Sequence, residues 1–518
     1  MEKLVEALSH PEAYTHTTGT IEVIETHISW IFLTESWAYK VKKPINLGFL
    51  DFSTIKKRHY YCKEELRLNR RLCPEIYLAV VPIVKTTKAL LVDCEGEIID
   101  YAVKMVRFDR TMELDKMVSS GILNNMHIDL LSTLIAQFHE NLPPEPAETK
   151  FGHPDNLIKP VLQNFQHMET LLAVTHEKEC LEILKAWSIK EHKRLYPLFL
   201  ARKRNGFIRH CHGDMHTGNM VLWNNRILIF DCIEFNKNLS IIDVISDFAF
   251  LYMDLDHFCR SELTWRLLNN YLTETGDFKA LPLLRFYAMY RAMVRAKVTA
   301  IRYAQTTEPI AAEKVLEEHR SYLQLALNYT KKSKPLLIIT FGVSGSGKSC
   351  AITNIAPRIF GIHIRSDIER KRIMGLKPLE SSHKESDNSI YTEKISRQTY
   401  KRLLNLAALC IEEGIPVIVD ATFLKSYNRS DFAALAANKN IPFRILHFHA
   451  PEALLFERVQ KRYMNKNDAS EADRAVLTLQ LETIEPLSSE EEALSISINT
   501  SEWVNATAIA KQLHAIIT

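Results

Sequence analysis

Residues 209–222, RHCHGDMHTGNMVL, bring His210, Cys211, His212, Asp214 and His216 into one short stretch. Two chemistries use such residues. His212 and His216 are four apart, the spacing of a helical zinc pair. Gly213 and Gly218 argue against a helix there, and no H-E-x-x-H pattern accompanies them. The alternative is phosphoryl transfer. Asp214 and Asn219 lie five apart in a glycine-containing loop, and Asp231 follows twelve residues later at the end of the apolar run RILIFD. A base aspartate, an asparagine and a strand-borne aspartate, in that order, suit ATP chemistry. Asp214 would take the proton of an acceptor hydroxyl, and Asn219 and Asp231 would hold Mg²⁺ against the nucleotide phosphates. The loop is therefore read as catalytic rather than as a metal trap.

A second stretch, GVSGSGKS at 342–349, fits G-x-x-x-x-G-K-[ST] at every fixed position. It follows the apolar run PLLIITF and precedes a helix-compatible segment, the context the pattern requires. Gly342, Ser344, Gly345, Ser346 and Gly347 would fold so that successive N–H groups cradle phosphate oxygens. The following helix adds its positive end. Lys348 would reach the β- and γ-phosphates, and the Ser349 hydroxyl would ligate Mg²⁺. A plain glycine turn between strand and helix would need no lysine. Asp420 closes the strand PVIVD at the sheet edge where ligands bind, as a Mg²⁺ ligand or a turn cap. Asp367 in RSDIERKR is either an acceptor-side base or a helix cap.

The elements that must position these groups can be read from periodicity. HISWIFL (27–33) and WAYKVKK (37–43) are β-rich and separated by a short polar turn, so a hairpin is expected. A charged helix over TIKKRHYYCKEELRLNRR and two strands, YLAVVPIV and IIDYAVKMVRF, follow. Beyond Phe108 the chain reads as helices with a strand pair near 219–234; one stripe carries Leu130, Leu131, Leu134, Ile135 and Phe138. After 331, the strands PLLIITFG, IPVIVDATF and PFRILHFHA alternate with helical stretches, the pattern of a parallel sheet. Length, 518 residues, implies more than one domain. Lysine plus arginine (65) nearly balance aspartate plus glutamate (62), which gives no global argument for nucleic acid or membrane binding. The nine cysteines form no C-x-x-C pair, as expected of reduced thiols in a cytosol. The N-terminal stretch lacks a signal-like apolar core, and no run suggests a membrane span.

The text HGDMHTGN, IFDCIEF and SDFAFL resembles the aminoglycoside phosphotransferase and choline kinase-like family, over about residues 20–330. That resemblance implies a protein kinase-like fold with Asp214 as base and Asn219 and Asp231 on Mg²⁺. It makes His212 a loop brace and Asp247 a stabilising residue. It also implies a small-lobe lysine paired with a helix glutamate. Lys40 and Lys42 share one strand face, and Lys42 with Glu65 is preferred, Glu64 being the competitor. Relatives often cover the phosphates with a glycine-rich loop; the corresponding turn IETHISWIF has none, so either Thr26 and Ser29 cap the phosphates or ATP affinity is low. The text GVSGSGKS, RSDIERKR and VIVDATF resembles the P-loop small-molecule and polynucleotide kinases, including gluconate kinase-like and zeta toxin-like enzymes, over about 335–515. It implies Asp367 as acceptor-side base, Arg370 as acceptor holder, and a lid over ERVQKRYMNKNDASEADR with Arg458 and Arg462 facing transferred charge.

The expectation is thus an α+β kinase-like domain over 1–330, with a small lobe to about 108 and a large lobe from about 109, followed by an α/β P-loop domain over 331–518. Each would use ATP and Mg²⁺ to phosphorylate a hydroxyl of a small soluble acceptor in the cytoplasm, without a membrane. Two alternatives stand beside it. The P-loop half could hydrolyse ATP as a switch while the first half only binds ligand. Or the P-loop half could phosphorylate nucleic acid ends, which the balanced charge does not favour.

Overall fold

Alternating aromatic and β-branched residues between Glu22 and Val106 build a six-stranded antiparallel sheet in the computed structural model, which describes residues 2–48, 50–87, 89–171, 175–380, 382, 392–465 and 468–517. Its strands are β1 (Glu22–Glu25), β2 (Ser29–Leu33), β3 (Trp37–Lys42), β4 (Tyr77–Lys85), β5 (Leu90–Val92) and β6 (Glu97–Val106), in the order β1-β2-β3-β6-β4-β5. Pleating sends Tyr39 and Val41 to one face, where they pack with Phe32, Ile83 and Leu8 of the N-terminal helix Glu2–Leu8. Lys40 and Lys42 therefore share the other face. There the helix Ile55–Asn69, capped by Thr54, presents its buried Glu65. The expected hairpin, helix and strands are present; the sequence reading had no counterpart for the N-terminal helix.

Helices follow, interrupted by two short strand pairs. β8 (Met220–Trp223) pairs with β9 (Arg226–Ile229). β7 (Ile208–His210) pairs with β10 (Ile241–Asp243). Val221 and Leu228 of the first pair pack with Leu33, Ala38, Tyr77 and Met105, so this hairpin and the six-stranded sheet share a core. On the helix Asn125–Asn141, Leu131 and Ile135 are buried but Leu130 is exposed, so it leaves the stripe assigned to it.

The remaining strands form a five-stranded sheet, parallel throughout. They are β11 (Leu337–Phe341), β12 (Ile362–Arg365), β13 (Val417–Asp420), β14 (Phe443–His449) and β15 (Ser495–Asn499), in the order β12-β13-β11-β14-β15. β11 lies in the centre with all five side chains buried, as its unbroken apolar run requires. The short strands β12 and β15, unread in the sequence, flank it on the two edges. The helix Lys348–Ile355 leaves β11 through the glycine loop.

By packing, the chain divides into two compact units. The first comprises Met1–Leu130, Gln137–Asp254 and Tyr290–His319; the second comprises Leu131–Ala136, Leu255–Met289 and Arg320–Thr518. Within the second unit, Asn269 of the helix Ser261–Thr275 clamps the β12 edge: its Oδ1 accepts from His363 N (2.7 Å) and its Nδ2 donates to Gly361 O (2.9 Å). All nine cysteines are free thiols. Among the described residues, no helix is long and apolar enough to cross a membrane.

Candidate active sites

In the first unit the loop 211–219 is held from several sides. Asp247 accepts from His212 N (3.0 Å) and Gly213 N (2.8 Å), while His139 Nε2 lies 3.3 Å from the same carboxylate. Arg291 donates to Gly213 O at 3.0 Å, and Asp254 accepts from both the amide and hydroxyl of Thr217. Gly213 has φ +90°, and a Cβ there would sit 2.8 Å from Leu239 O, so only glycine fits. His212 donates from Nε2 to Phe230 O (2.8 Å) and accepts from Asp214 N at Nδ1 (3.2 Å). Its ring is spent on bracing. Among the described residues, the three metal-capable groups within 4.8 Å of one another are His139, Cys211 and Asp247, none of them the His212/His216 pair.

Asp247 sets a measurable pH dependence. Burial works to raise its carboxyl, but the hydrogen bond and charge of His139, with His212, outweigh this and hold it at about 2. Its unfolded value is near 3.9. The unfolded chain then binds the proton more readily, so the carboxylate contributes stability above about pH 4 and loses it as pH falls through the folded value. A shift of about two units is worth about 2–3 kcal/mol. Asp247→Asn is expected to lower the thermal unfolding midpoint at pH 6, with a gap to wild type that narrows steadily towards pH 2.5. A gap independent of pH would refute this assignment.

The braced loop presents Asp214. Asn219 Nδ2 donates to its carboxylate (3.1 Å), and His216 Nε2 lies 3.5 Å from it. Burial works to raise the Asp214 carboxyl; His216, then His212 and Arg295, overcome it and keep the group well below the ordinary range. Asn219 also joins the loop to the next strand, its carbonyl accepting from Phe230 N at 2.9 Å. Asp231 follows with φ +64°, a left-handed conformation that non-glycine residues adopt rarely, aspartate and asparagine more readily than most. Asp214 and Asn219 thus touch, with Asp231 one residue beyond Asn219's backbone partner.

Of the two lysines on this face, Lys40 lines a cavity of about 250 Å³ with Asp231, Ala38, Met105, Phe108 and Phe230, and Lys42 does not. Lys40 Nζ is 2.5 Å from Asp231 and 2.8 Å from Glu65. Lys42 is fully buried behind it, 2.6 Å from Glu65 and in contact with Glu234. Strand alternation placed both amines on one face but could not give depth. Burial works against the charge of both lysines; the surrounding carboxylates outweigh it and raise both. Glu65, which burial would raise, is drawn to about 2 by the two amines. Glu64 is the partner of Arg67 on the helix surface. Thr26 lines the cavity, yet its hydroxyl is engaged with the backbone of Ser29; Ser29 itself is buried and is not among the residues lining the cavity.

In the second unit the glycine loop closes on itself. Lys348 Nζ donates to Gly342 O and Val343 O (both 2.8 Å) and to Ser346 Oγ (3.3 Å). Burial pushes this amine down to about 8, against the pull of Asp420 and Asp367. Gly342 has φ +142°, and a Cβ would meet Phe448 O at 2.4 Å, which excludes any other residue. A cavity of about 590 Å³ is lined by Lys348, Ser349, Asp367, Arg370, Asp420 and Arg462 among others. Asp367 and Arg370, one turn apart on the helix Ser366–Ile373, face it together. Asp420, at the end of β13, accepts from His363 Nε2 at 3.0 Å. Burial works to raise this carboxyl; His363, Arg365 and Lys348 hold it at about 2.

Arg458 also lines the cavity, bonding Gly345 O and both the hydroxyl and carbonyl of Thr500. Arg462 donates to Ala472 O at 3.1 Å. Part of the stretch read as a lid, residues 466–467, lies outside the described residues. Three contacts were not read in the sequence: Glu234 on Lys42, His363 on Asp420, and Gln480, whose Oε1 accepts from Ser344 N at 2.8 Å. Glu234 and His363 sit beside residues already singled out, on the same loop and the neighbouring strand. Gln480 carries no local signal.

Comparison with known proteins finds a family match over the range that holds the glycine loop. Residues 337–487 match the AAA_33 family model, an AAA domain. The chain is similar to the uncharacterized protein Rv2004c of Mycobacterium tuberculosis strain H37Rv, 27% identical over 465 residues that cover 88% of this chain and 89% of that one. The uncharacterized protein Mb2027c of Mycobacterium bovis matches to the same extent, 27% over 465 residues. Among solved structures, a choline kinase from Cryptosporidium parvum Iowa II aligns with TM-score 0.36 and 10% identity, over 60% of this chain and 89% of its own. A gluconokinase from Sinorhizobium meliloti 1021 aligns with TM-score 0.25 and 21% identity, over 36% of this chain and 93% of its own.

Proposed function

We propose that the chain is an ATP-dependent phosphotransferase with two sites, each passing the γ-phosphoryl group to a hydroxyl of a small soluble acceptor. The observation that carries this reading is the second-unit cavity. It joins a complete phosphate loop, with Lys348 and Ser349, to a wall bearing Asp367 and Arg370, leaving room for an acceptor beside the nucleotide. Asp367 takes the acceptor proton and Arg370 holds the acceptor. In the first unit, Asp214 is the base and Lys40 meets the nucleotide phosphates.

Both donor sets suit Mg²⁺, which prefers hard oxygen ligands. Asn219 spends its amide nitrogen on Asp214, so its carbonyl oxygen is the end left for a cation beside Asp231. Ser349 and the Asp420 oxygen not bonded to His363 offer the same chemistry in the second unit. The ion would neutralise charge on the phosphates; positioning and proton removal are the work of the chain's own side chains.

A specific observation favours a second reading for the first unit, a ligand-binding module without transfer. Its cavity is less than half the size of the other, the turn above it has no glycine, and Lys40 is bonded to Asp231. Calorimetric titration with AMPPNP and Mg²⁺ separates the readings. Two equivalents per chain are expected; a single equivalent, lost in Lys348→Ala, refutes nucleotide binding by the first unit.

The two lysines give a further test. Lys40→Ala is expected to weaken nucleotide binding by the first unit about tenfold or more, through loss of a charge-assisted contact. Lys42→Ala leaves the Glu234 side chain buried without its amine and Glu65 with Lys40 alone, a loss of about 3–5 kcal/mol. It should therefore lower the thermal unfolding midpoint more than Lys40→Ala does. The reverse order in both measurements would restore Lys42 to the nucleotide site.

A further inference from the structure

The peptide unit joining Val343 to Ser344 is gripped from both ends. Lys348 Nζ donates to its carbonyl, Val343 O, at 2.8 Å. Gln480 Oε1 accepts from its N–H, on Ser344, also at 2.8 Å. In a phosphate loop the lysine amine is the group that reaches the β- and γ-phosphates. The Gln480 amide therefore ends one peptide unit from the amine that would meet those phosphates.

Its approach is built into the fold. The helix Arg474–Thr483, capped by Asp473, buries Leu477 against Val343 of the loop and Leu424, Leu455 and Val459. Beyond its C-terminal end, Glu485 N donates to Leu424 O (2.9 Å), and Lys425 Nζ donates to Thr483 O (3.0 Å). The helix is thus tied at its middle and at its end, and Gln480 lines the cavity between the two ties. Its oxygen is taken by the loop, and no hydrogen bond is made by its Nε2 among the described residues. An amide in this position has a donor to offer to a phosphate oxygen; a carboxylate would repel it.

We propose that Gln480 is the residue by which the second unit distinguishes a nucleoside triphosphate from a diphosphate. Its Nε2 donates to the terminal phosphate while Oε1 stays on Ser344 N–H. The proposal rests on the reading of this cavity as an ATP site. It adds a contact with the transferred group from a helix that neither the loop pattern nor the arginine pair includes.

The test is calorimetry on the full-length protein with Mg²⁺, titrating ADP and AMPPNP separately. The binding component that Lys348→Ala removes is assigned to the second unit. For that component, Gln480→Ala is expected to keep ADP affinity within about twofold and weaken AMPPNP about tenfold, the size of one hydrogen bond to a charged group. Gln480→Glu should weaken AMPPNP further and ADP less. Equal weakening of both nucleotides would mean that Gln480 only holds the loop in shape, and no change in either would mean that it holds nothing; both overturn the proposal. If Lys348→Ala removes no component at all, the ATP reading itself fails, and the proposal with it.

Discussion

Lys348→Ala is expected to cut phosphoryl transfer by the second unit by about 10²–10³-fold or more, with nucleotide affinity falling alongside. The reason is position and solvation together. The amine is buried, and three oxygens of its own loop stand in for what it would otherwise bind. Burial has lowered its affinity for a proton to about 8, so the site is short of negative charge that a phosphate would supply. An alanine offers nothing to that phosphate. Lys348→Arg should rescue little, because a planar guanidinium cannot take the place of a compact ammonium between Gly342 O, Val343 O and Ser346 Oγ. The measurement is acceptor-dependent ATP turnover alongside a thermal unfolding curve. Retention of activity within about fivefold, in a folded variant, is incompatible with a loss of this size.

Asp214→Asn is the second large effect. The substitution keeps the shape of the side chain and removes its ability to take a proton. A general base of this kind is worth about 10²–10⁴-fold, so kcat for the first unit's acceptor should drop by about that amount. Nucleotide affinity there should change little, since Asp214 meets Asn219 and His216 while the cavity is lined by other residues. The second unit's turnover should be untouched. Screening a panel of hydroxyl acceptors against both variants is therefore expected to separate two activities. If Asp214→Asn alters no transfer for any acceptor while Lys348→Ala abolishes all of it, the first unit binds ligand and does not react.

Much of the architecture was legible because it is local. The unbroken apolar run directly before GVSGSGKS reads as a buried strand because the motif follows a strand, and β11 is one. Pleating around Val41 correctly put Lys40 and Lys42 on one face. What periodicity could not carry is distance along the normal to that face. Lys40 meets the cavity because Asp231 approaches it, and Lys42 sinks because Glu234 does; the chain separations are 191 and 192 residues. Gln480 was invisible for the same reason, 136 residues from the amide it caps. β12 and β15 were missed because four- and five-residue strands with a histidine or serines among their apolar positions give a weak signal.

The helical stretch Leu255–Met289 belongs with the second unit, although Tyr290–His319, which follows it, belongs with the first. No single cut of the polypeptide can release both units whole. During synthesis, Asn269 leaves the ribosome well before the edge strand it will clamp, and must wait some ninety residues for Gly361 and His363. Limited proteolysis between 330 and 336 should therefore leave fragments that stay together until denatured, and a gene trimmed to its last 188 codons should express a poorly folding product. Two units joined end to end could be inherited or lost one at a time; units that each draw on more than one stretch of the chain cannot.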